Sequence, residues 1–104
     1  MFGNMADMPR LMAIAKRYGL IVIEDATEAL GTRCTDGPFA GKFAGTIGDI
    51  GCYSFNGNKI ITTGAGGMVV SNHADWAEHA KHLSTQAKTD LLQFLHDEVG
   101  TTTA

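Results

Sequence analysis

The chain has 104 residues, 44% hydrophobic and 18% charged, with a formal net charge of -3. That length fits one small domain, and the composition excludes disordered, collagen-like and coiled-coil classes. Eight basic against eleven acidic residues give no cationic patch for nucleic acid, and the longest aliphatic run, Leu20-Ile21-Val22-Ile23, is too short to cross a membrane.

In chain order, Ala6 to Tyr18 reads as a helix with Asp7 as N-cap, Pro9 in its first turn and Gly19 just past its end. Met8, Leu11, Met12 and Ala15 recur at helical spacing and give it one apolar face. Leu20 to Ile23 is β-branched and does not alternate, the pattern of a strand buried on both faces of a parallel sheet. Helix, glycine turn and buried strand make half of a βαβ unit, so the fold class is α/β. From Gly31 to Asp49 the chain is glycine-rich and reads as loop. Ile50 to Phe55 and Met68 to Ser71 are further short strands, separated by a turn at Asn56 to Lys59. A helix follows from about Ala74 to Thr85, capped by Asn72 or Ser71, and Leu91 to Glu98 has the pattern of another. Trp76 and Phe94 read as packing residues on these helices. Three short strands leave open sheet edges that favour self-association. Both termini read as cuts through a larger domain.

Thirteen glycines are about twice the usual share for this length, and most lie between Gly31 and Gly67. Thr62 to Gly67 has a phosphate-cradling composition without P-loop spacing. The alternative is a connection that lets strands pack closely. Cys34 and Cys52 are too few for a disulfide framework and fit no zinc spacing. Cys52 reads as a small core residue of a strand. His79 and His82 could share a helix face, but no third metal ligand is evident, and no metal site is assigned. The first residues lack a secretory signal, which leaves a cytoplasmic address as the default.

Two residues carry the chemistry. Asp25 follows the buried strand at its C-terminal end, where open α/β sheets bind ligands. A carboxylate there needs a cation or a donor if buried; the alternative role is to cap the turn from Ala26 to Leu30. Lys59 has small polar residues before it and apolar ones after it. An amine near apolar surface loses hydration, which frees it as a nucleophile toward a carbonyl. A solvated loop lysine is the competing reading.

Three segments in order carry a resemblance: Val22-Ile23-Glu24-Asp25-Ala26-Thr27-Glu28-Ala29-Leu30-Gly31, Gly45-Thr46-Ile47-Gly48-Asp49-Ile50-Gly51, and Ser54-Phe55-Asn56-Gly57-Asn58-Lys59-Ile60-Ile61-Thr62-Thr63-Gly64. Together they resemble the DegT/DnrJ/EryC1/StrS family of pyridoxal-phosphate (PLP) sugar aminotransferases, which have the type I aspartate-aminotransferase fold. The resemblance implies that residues 1–100 are the central part of the three-layer α/β/α, PLP-binding large domain, truncated at both ends. It implies that Lys59 holds PLP covalently and moves the proton in catalysis, and that Asp25 pairs with the pyridine nitrogen. It also implies that Glu28 stands near the ring where many members have glutamine, and that Ser54 donates to the PLP phosphate.

The implied reaction moves an amino group from L-glutamate to a nucleotide-linked 4-keto-6-deoxy sugar for bacterial surface glycans, in a homodimer. Leu83-Ser84-Thr85-Gln86-Ala87-Lys88 looks most like the bacillosamine and legionaminic-acid members. The upstream phosphate loop and ring-stacking aromatic residue of the family do not occur in this sequence, and neither does its small C-terminal domain. Thr101 to Ala104 departs from the tyrosine-rich continuation of related chains and reads as a non-family tail, as a one-base frameshift would produce. The alternative function is a remnant, or a partner-dependent interaction module, that cannot hold PLP alone. A nucleotide-binding module resting on the glycines is a third reading.

Overall fold

The computed structural model describes residues 2–90, 92–93 and 95–101. The chain forms two compact units, Met1–Asn72 and His73–Ala104. In the first, helix α1 (Met8–Tyr18) precedes a three-stranded sheet, β1 (Ile23–Asp25), β2 (Ile50–Ser54) and β3 (Gly67–Ser71), in spatial order β1-β2-β3. The α/β class expected from the sequence is therefore the class observed.

The ends of α1 follow from its sequence. Asp7 is non-helical, and its carboxylate accepts the Arg10 N–H at 3.2 Å. The helix therefore starts at Met8, two residues after the expected Ala6, with Asp7 as the expected N-cap. Gly19 stops it in the left-handed conformation, φ 63°, with its N–H on the Ala15 carbonyl. Met8 and Ala15 are buried, whereas Leu11 and Ile14 stay exposed.

β1 is shorter and later than the apolar run. Parallel pairing begins at Ile23, opposite Ile50, and ends at Asp25, opposite Cys52. Ahead of it, the Val22 N–H goes to the Asp49 carboxylate at 2.7 Å instead of to a neighbouring strand. Burial on both faces is not what the structure shows. Ile21 and Ile23 are 61% and 62% exposed, because β1 pairs on one edge only and no described helix packs over it. β3 runs antiparallel to β2, from Ile50 opposite Ser71 to Ser54 opposite Gly67.

Residues 31–49 are loop, as expected, with one 3-10 turn at Gly37–Phe39 and a bridge between Arg33 and Phe43. The core of this unit is made of small residues: Ala26, Ala29 and Ala44 are buried, with Met5 and Tyr53 packed against them. At Gly67 an added Cβ would lie 2.5 Å from the Tyr53 carbonyl oxygen. Gly67, the last glycine of Thr62 to Gly67, thus allows close strand packing, and the run leads into a strand rather than a helix.

In the second unit, α2 spans Ala74–Ser84. Neither Ser71 nor Asn72 caps it. His73 holds the N-cap position without a side-chain hydrogen bond, and the Ser71 hydroxyl donates to the Asp49 carbonyl at 2.6 Å. Trp76 stacks on His73, with ring centroids 4.2 Å apart. The helix expected from Leu91 to Glu98 is not formed by any described residue of that segment. Asp90 accepts the N–H groups of Leu92 and Gln93, as a cap would, but the chain then folds back. Thr89 donates its N–H to the Leu95 carbonyl at 3.0 Å, and Lys88 bridges His96. Leu91, Phe94 and Thr102 to Ala104 lie outside the described residues. Among the described residues, no helix is long and apolar enough to cross a membrane.

Candidate active site

Lys59 ends the turn that follows β2, with its N–H on the Asn56 carbonyl at 3.0 Å. Its side chain is only 13% exposed, and its Nζ forms an ion pair with Glu28 Oε1. Glu28 comes from the turn after β1, where Ala29 N–H closes on the Ala26 carbonyl at 3.0 Å. The two turns that leave the C-terminal ends of the parallel strands therefore meet through their charged side chains, where an open α/β sheet binds its ligand. Lys59 is not the solvated loop lysine of the competing reading. The following apolar residues Ile60 and Ile61 are themselves exposed, and the group that Nζ meets is the Glu28 carboxylate.

Lys59, Glu28 and Ser54 line one cavity of about 280 Å³, together with Thr27, Thr32 and Asn58. That volume is near the lower end of small-molecule sites, roughly 300 to 1,000 Å³. Ser54 ends β2, and its oxygen accepts the Asn56 N–H at 3.4 Å. That bond uses a lone pair and leaves the hydroxyl proton to donate to an anion.

Asp25 does not line this cavity. Its carboxylate is exposed and accepts the Thr27 N–H at 3.1 Å, which closes the turn after β1. Hydrogen bonds from Thr27 hold its carboxyl below the usual carboxylate range, and the Lys59 charge lowers it further. The capping reading is the one the geometry shows, and an ionised Asp25 close enough to feel Lys59 accompanies it. The sequence-predicted residues thus divide: Lys59, Glu28 and Ser54 converge, while Asp25 stands beside them, tied to its own turn.

These residues fit the chemical demands of PLP. An amine shielded from water can take an aldehyde, a hydroxyl with a free proton can meet a phosphate, and an ionised carboxylate can meet a pyridinium. Among the described residues no group of three or more His, Cys, Asp or Glu side chains could hold a metal ion. His82 and His79 face Asp97 and Glu98 instead, at 2.6 and 3.8 Å. Cys34 and Cys52 are free thiols.

Two acidic residues were not singled out from the sequence. The Glu24 carboxylate accepts three backbone N–H groups, from Gly45 at 2.7 Å, Ile47 at 2.6 Å and Gly48 at 2.5 Å. Asp49 secures Val22 from the opposite direction. The only sequence signal for this arrangement is the Gly45, Gly48, Gly51 spacing, which marks backbone that must approach backbone.

Residues 1–103 match the DegT/DnrJ/EryC1/StrS aminotransferase family. The chain is 44% identical over 100 residues to the putative pyridoxal phosphate-dependent aminotransferase EpsN of Bacillus subtilis, covering 96% of this chain and 24% of EpsN. It is 41% identical over 100 residues to GDP-perosamine synthase of Escherichia coli O157:H7, covering 96% of this chain and 26% of that enzyme. Its fold superposes on a DegT/DnrJ/EryC1/StrS aminotransferase from Brucella abortus with a TM-score of 0.80 and 30% identity, over 96% of this chain and 26% of that one. The chain spans about a quarter of the length of the curated relatives it matches. With the family match over residues 1–103 and the fold in agreement, this chain belongs to the DegT/DnrJ/EryC1/StrS aminotransferase family.

Proposed function

We propose that this chain carries the lysine-bearing part of a PLP-dependent aminotransferase that moves an amino group from L-glutamate to a nucleotide-linked 4-keto-6-deoxy sugar. The observation that carries the reading is the shielded Lys59 amine, paired with Glu28 in a cavity that Ser54 also lines. The GDP-perosamine synthase relative supports a nucleotide-sugar substrate. Bound PLP supplies an electron sink for the substrate carbon. Lys59 would hold the cofactor and, once released from it, carry a proton at Nζ. Asp25 would face the pyridine nitrogen with a carboxylate that Thr27 keeps ionised. Ser54 would donate its hydroxyl proton to the phosphate, and Glu28 would give up its ion pair with Lys59 as PLP enters.

Within the family, the run Leu83 to Lys88 supports the bacillosamine or legionaminic-acid type of product, and the proposed setting is a cytoplasmic homodimer. A second reading is a remnant or partner-dependent interaction module that does not hold PLP alone. The observations that favour it are the modest cavity, the alanine core and the exposed Ile21, Ile23, Ile60 and Ile61.

The test is to add PLP to the purified chain, reduce with borohydride, digest, and weigh the peptide that contains Lys59. A pyridoxyl-phosphate mass increment on that peptide, absent in Lys59→Ala, is the expected result. Modification spread over exposed lysines, or none in a folded sample, would give the chain to the second reading.

A further inference from the structure

β1 has only three ladder residues and pairs on one edge, yet it must present Asp25 at a fixed place. Its ladder is shared with carboxylates. The three N–H groups gathered by Glu24 belong to the loop laid across β1 and β2, and Asp49 from the same loop takes the Val22 N–H. The Asp49 N–H returns to the Val22 carbonyl at 2.9 Å, so Asp49 holds both main-chain groups of Val22 just ahead of the strand. Glycines make the approach possible. A Cβ at Gly48 would lie 2.8 Å from the Val22 carbonyl oxygen, and one at Gly51 would overlap the Gly45 carbonyl. Tyr53 closes the far end of the loop by donating its hydroxyl to the Ala44 carbonyl at 2.6 Å. Burial and the Glu24 charge push the Tyr53 phenol above its usual value, which keeps that proton in place as donor.

Glu24 and Asp25 are consecutive strand residues, so their side chains leave opposite faces of β1. A carboxylate anchored on one face therefore fixes the height and twist of its neighbour on the other. We infer that Glu24 is a positioning residue for Asp25: its clamp on Gly45, Ile47 and Gly48 holds the end of β1 where Asp25 can meet the cofactor. The value of that placement rests on the proposed PLP reading; the clamp itself does not.

The test needs no cofactor for its main arm. By NMR, the Asp25 carboxyl carbon is titrated in the intact chain, in Glu24→Gln and in Glu24→Ala, together with amide exchange at Gly45, Ile47, Gly48 and Thr27. Glutamine keeps one acceptor oxygen and turns its NH₂ toward a donor, so it should release part of the loop and stay folded. In the intact chain Asp25 titrates below the ordinary carboxylate range. Both variants are expected to raise it, alanine more, with exchange at Gly45 and Thr27 at least about tenfold faster. Asp25 titrating unchanged while the loop amides exchange faster would overturn the inference and leave Glu24 a merely local cap. Unchanged loop exchange in Glu24→Gln and Glu24→Ala would overturn it as well. A second arm follows borohydride-fixed PLP on Lys59. Loss of capture in the variants alone agrees with the inference, and absence of capture in the intact chain counts against the proposed function while the titration still decides on Glu24.

Discussion

The residues up to 72 and those from 73 onward differ in what most of their carboxylates meet. In the first unit, carboxylates are spent on backbone N–H groups: Glu24 on three of them, Asp49 on Val22, Asp7 on Arg10. In the second, two acids meet histidines, His82 with Asp97 at 2.6 Å and His79 with Glu98 at 3.8 Å, their carboxylates half exposed, while Asp90 takes the N–H groups of Leu92 and Gln93. A backbone N–H keeps its proton across the whole working range, whereas an exposed acid–histidine contact changes with pH and with salt. The family's lysine and carboxylate motifs sit in the unit built the first way.

The largest break in that comparison should come from Gly51→Ala, whose methyl would overlap the Gly45 carbonyl. Overpacking against rigid backbone costs about 3 kcal/mol, read as a lower denaturation midpoint in urea. Next, Glu28→Gln removes the charge opposite Lys59 and keeps the shape. With Glu28 half exposed, the pair holds the amine back by no more than about 1 kcal/mol, so PLP capture followed by absorbance should speed by roughly two- to fivefold. The two helix starts give a paired contrast. Asp7→Ala should cost about 1 kcal/mol of stability, while Asn72→Ala should stay within about 0.5 kcal/mol, because no side chain caps α2. Equal losses would mean that the two helices begin alike after all.

The smallest effect is a matter of pH. Asp97 is held below the usual carboxylate range, first by its hydrogen bond with His82, and Asp90 by the N–H groups of Gln93 and Leu92. A carboxyl depressed in the folded state contributes stability above its unfolded value, about 3.9, and loses it as pH falls through the folded value. Acidification below about pH 4 should therefore loosen residues 85–101, seen as loss of amide protection at Asp97 and Thr101. Asp97→Asn should remove most of that dependence. An acid loosening that persisted unchanged in Asp97→Asn would trace the dependence to Asp90 instead.

Much of this organisation was legible in the residues. Asp7, Pro9 and Gly19 carry the rules that start and stop α1 within their own turns, and the structure follows them. The three motif segments located Lys59, Glu28 and Ser54, which the fold brings to one cavity. What local pattern missed depends on pairing at a distance. The run Leu20 to Ile23 marks apolar character, but the strand starts where Ile50 becomes available opposite Ile23. Ser71 has the chemistry of a helix cap and is committed to Asp49 instead. Asp90 begins a turn that looks helical until Thr89 and Leu95 pair. Glu24 escaped because its partners are main-chain groups of residues more than twenty positions away, and an amide N–H has no letter in a sequence.

The ion pair between Lys59 and Glu28 also sorts the lysines of this chain by accessibility. Lys16, Lys42 and Lys81 are exposed, whereas Lys59 and Lys88 are partly buried, and Lys59 is held by an acid as well. Reagents that acylate or alkylate amines indiscriminately will reach the exposed three first. Lys59 is thereby sheltered from stray electrophiles, and a ligand reaches its amine by taking the place of the Glu28 carboxylate.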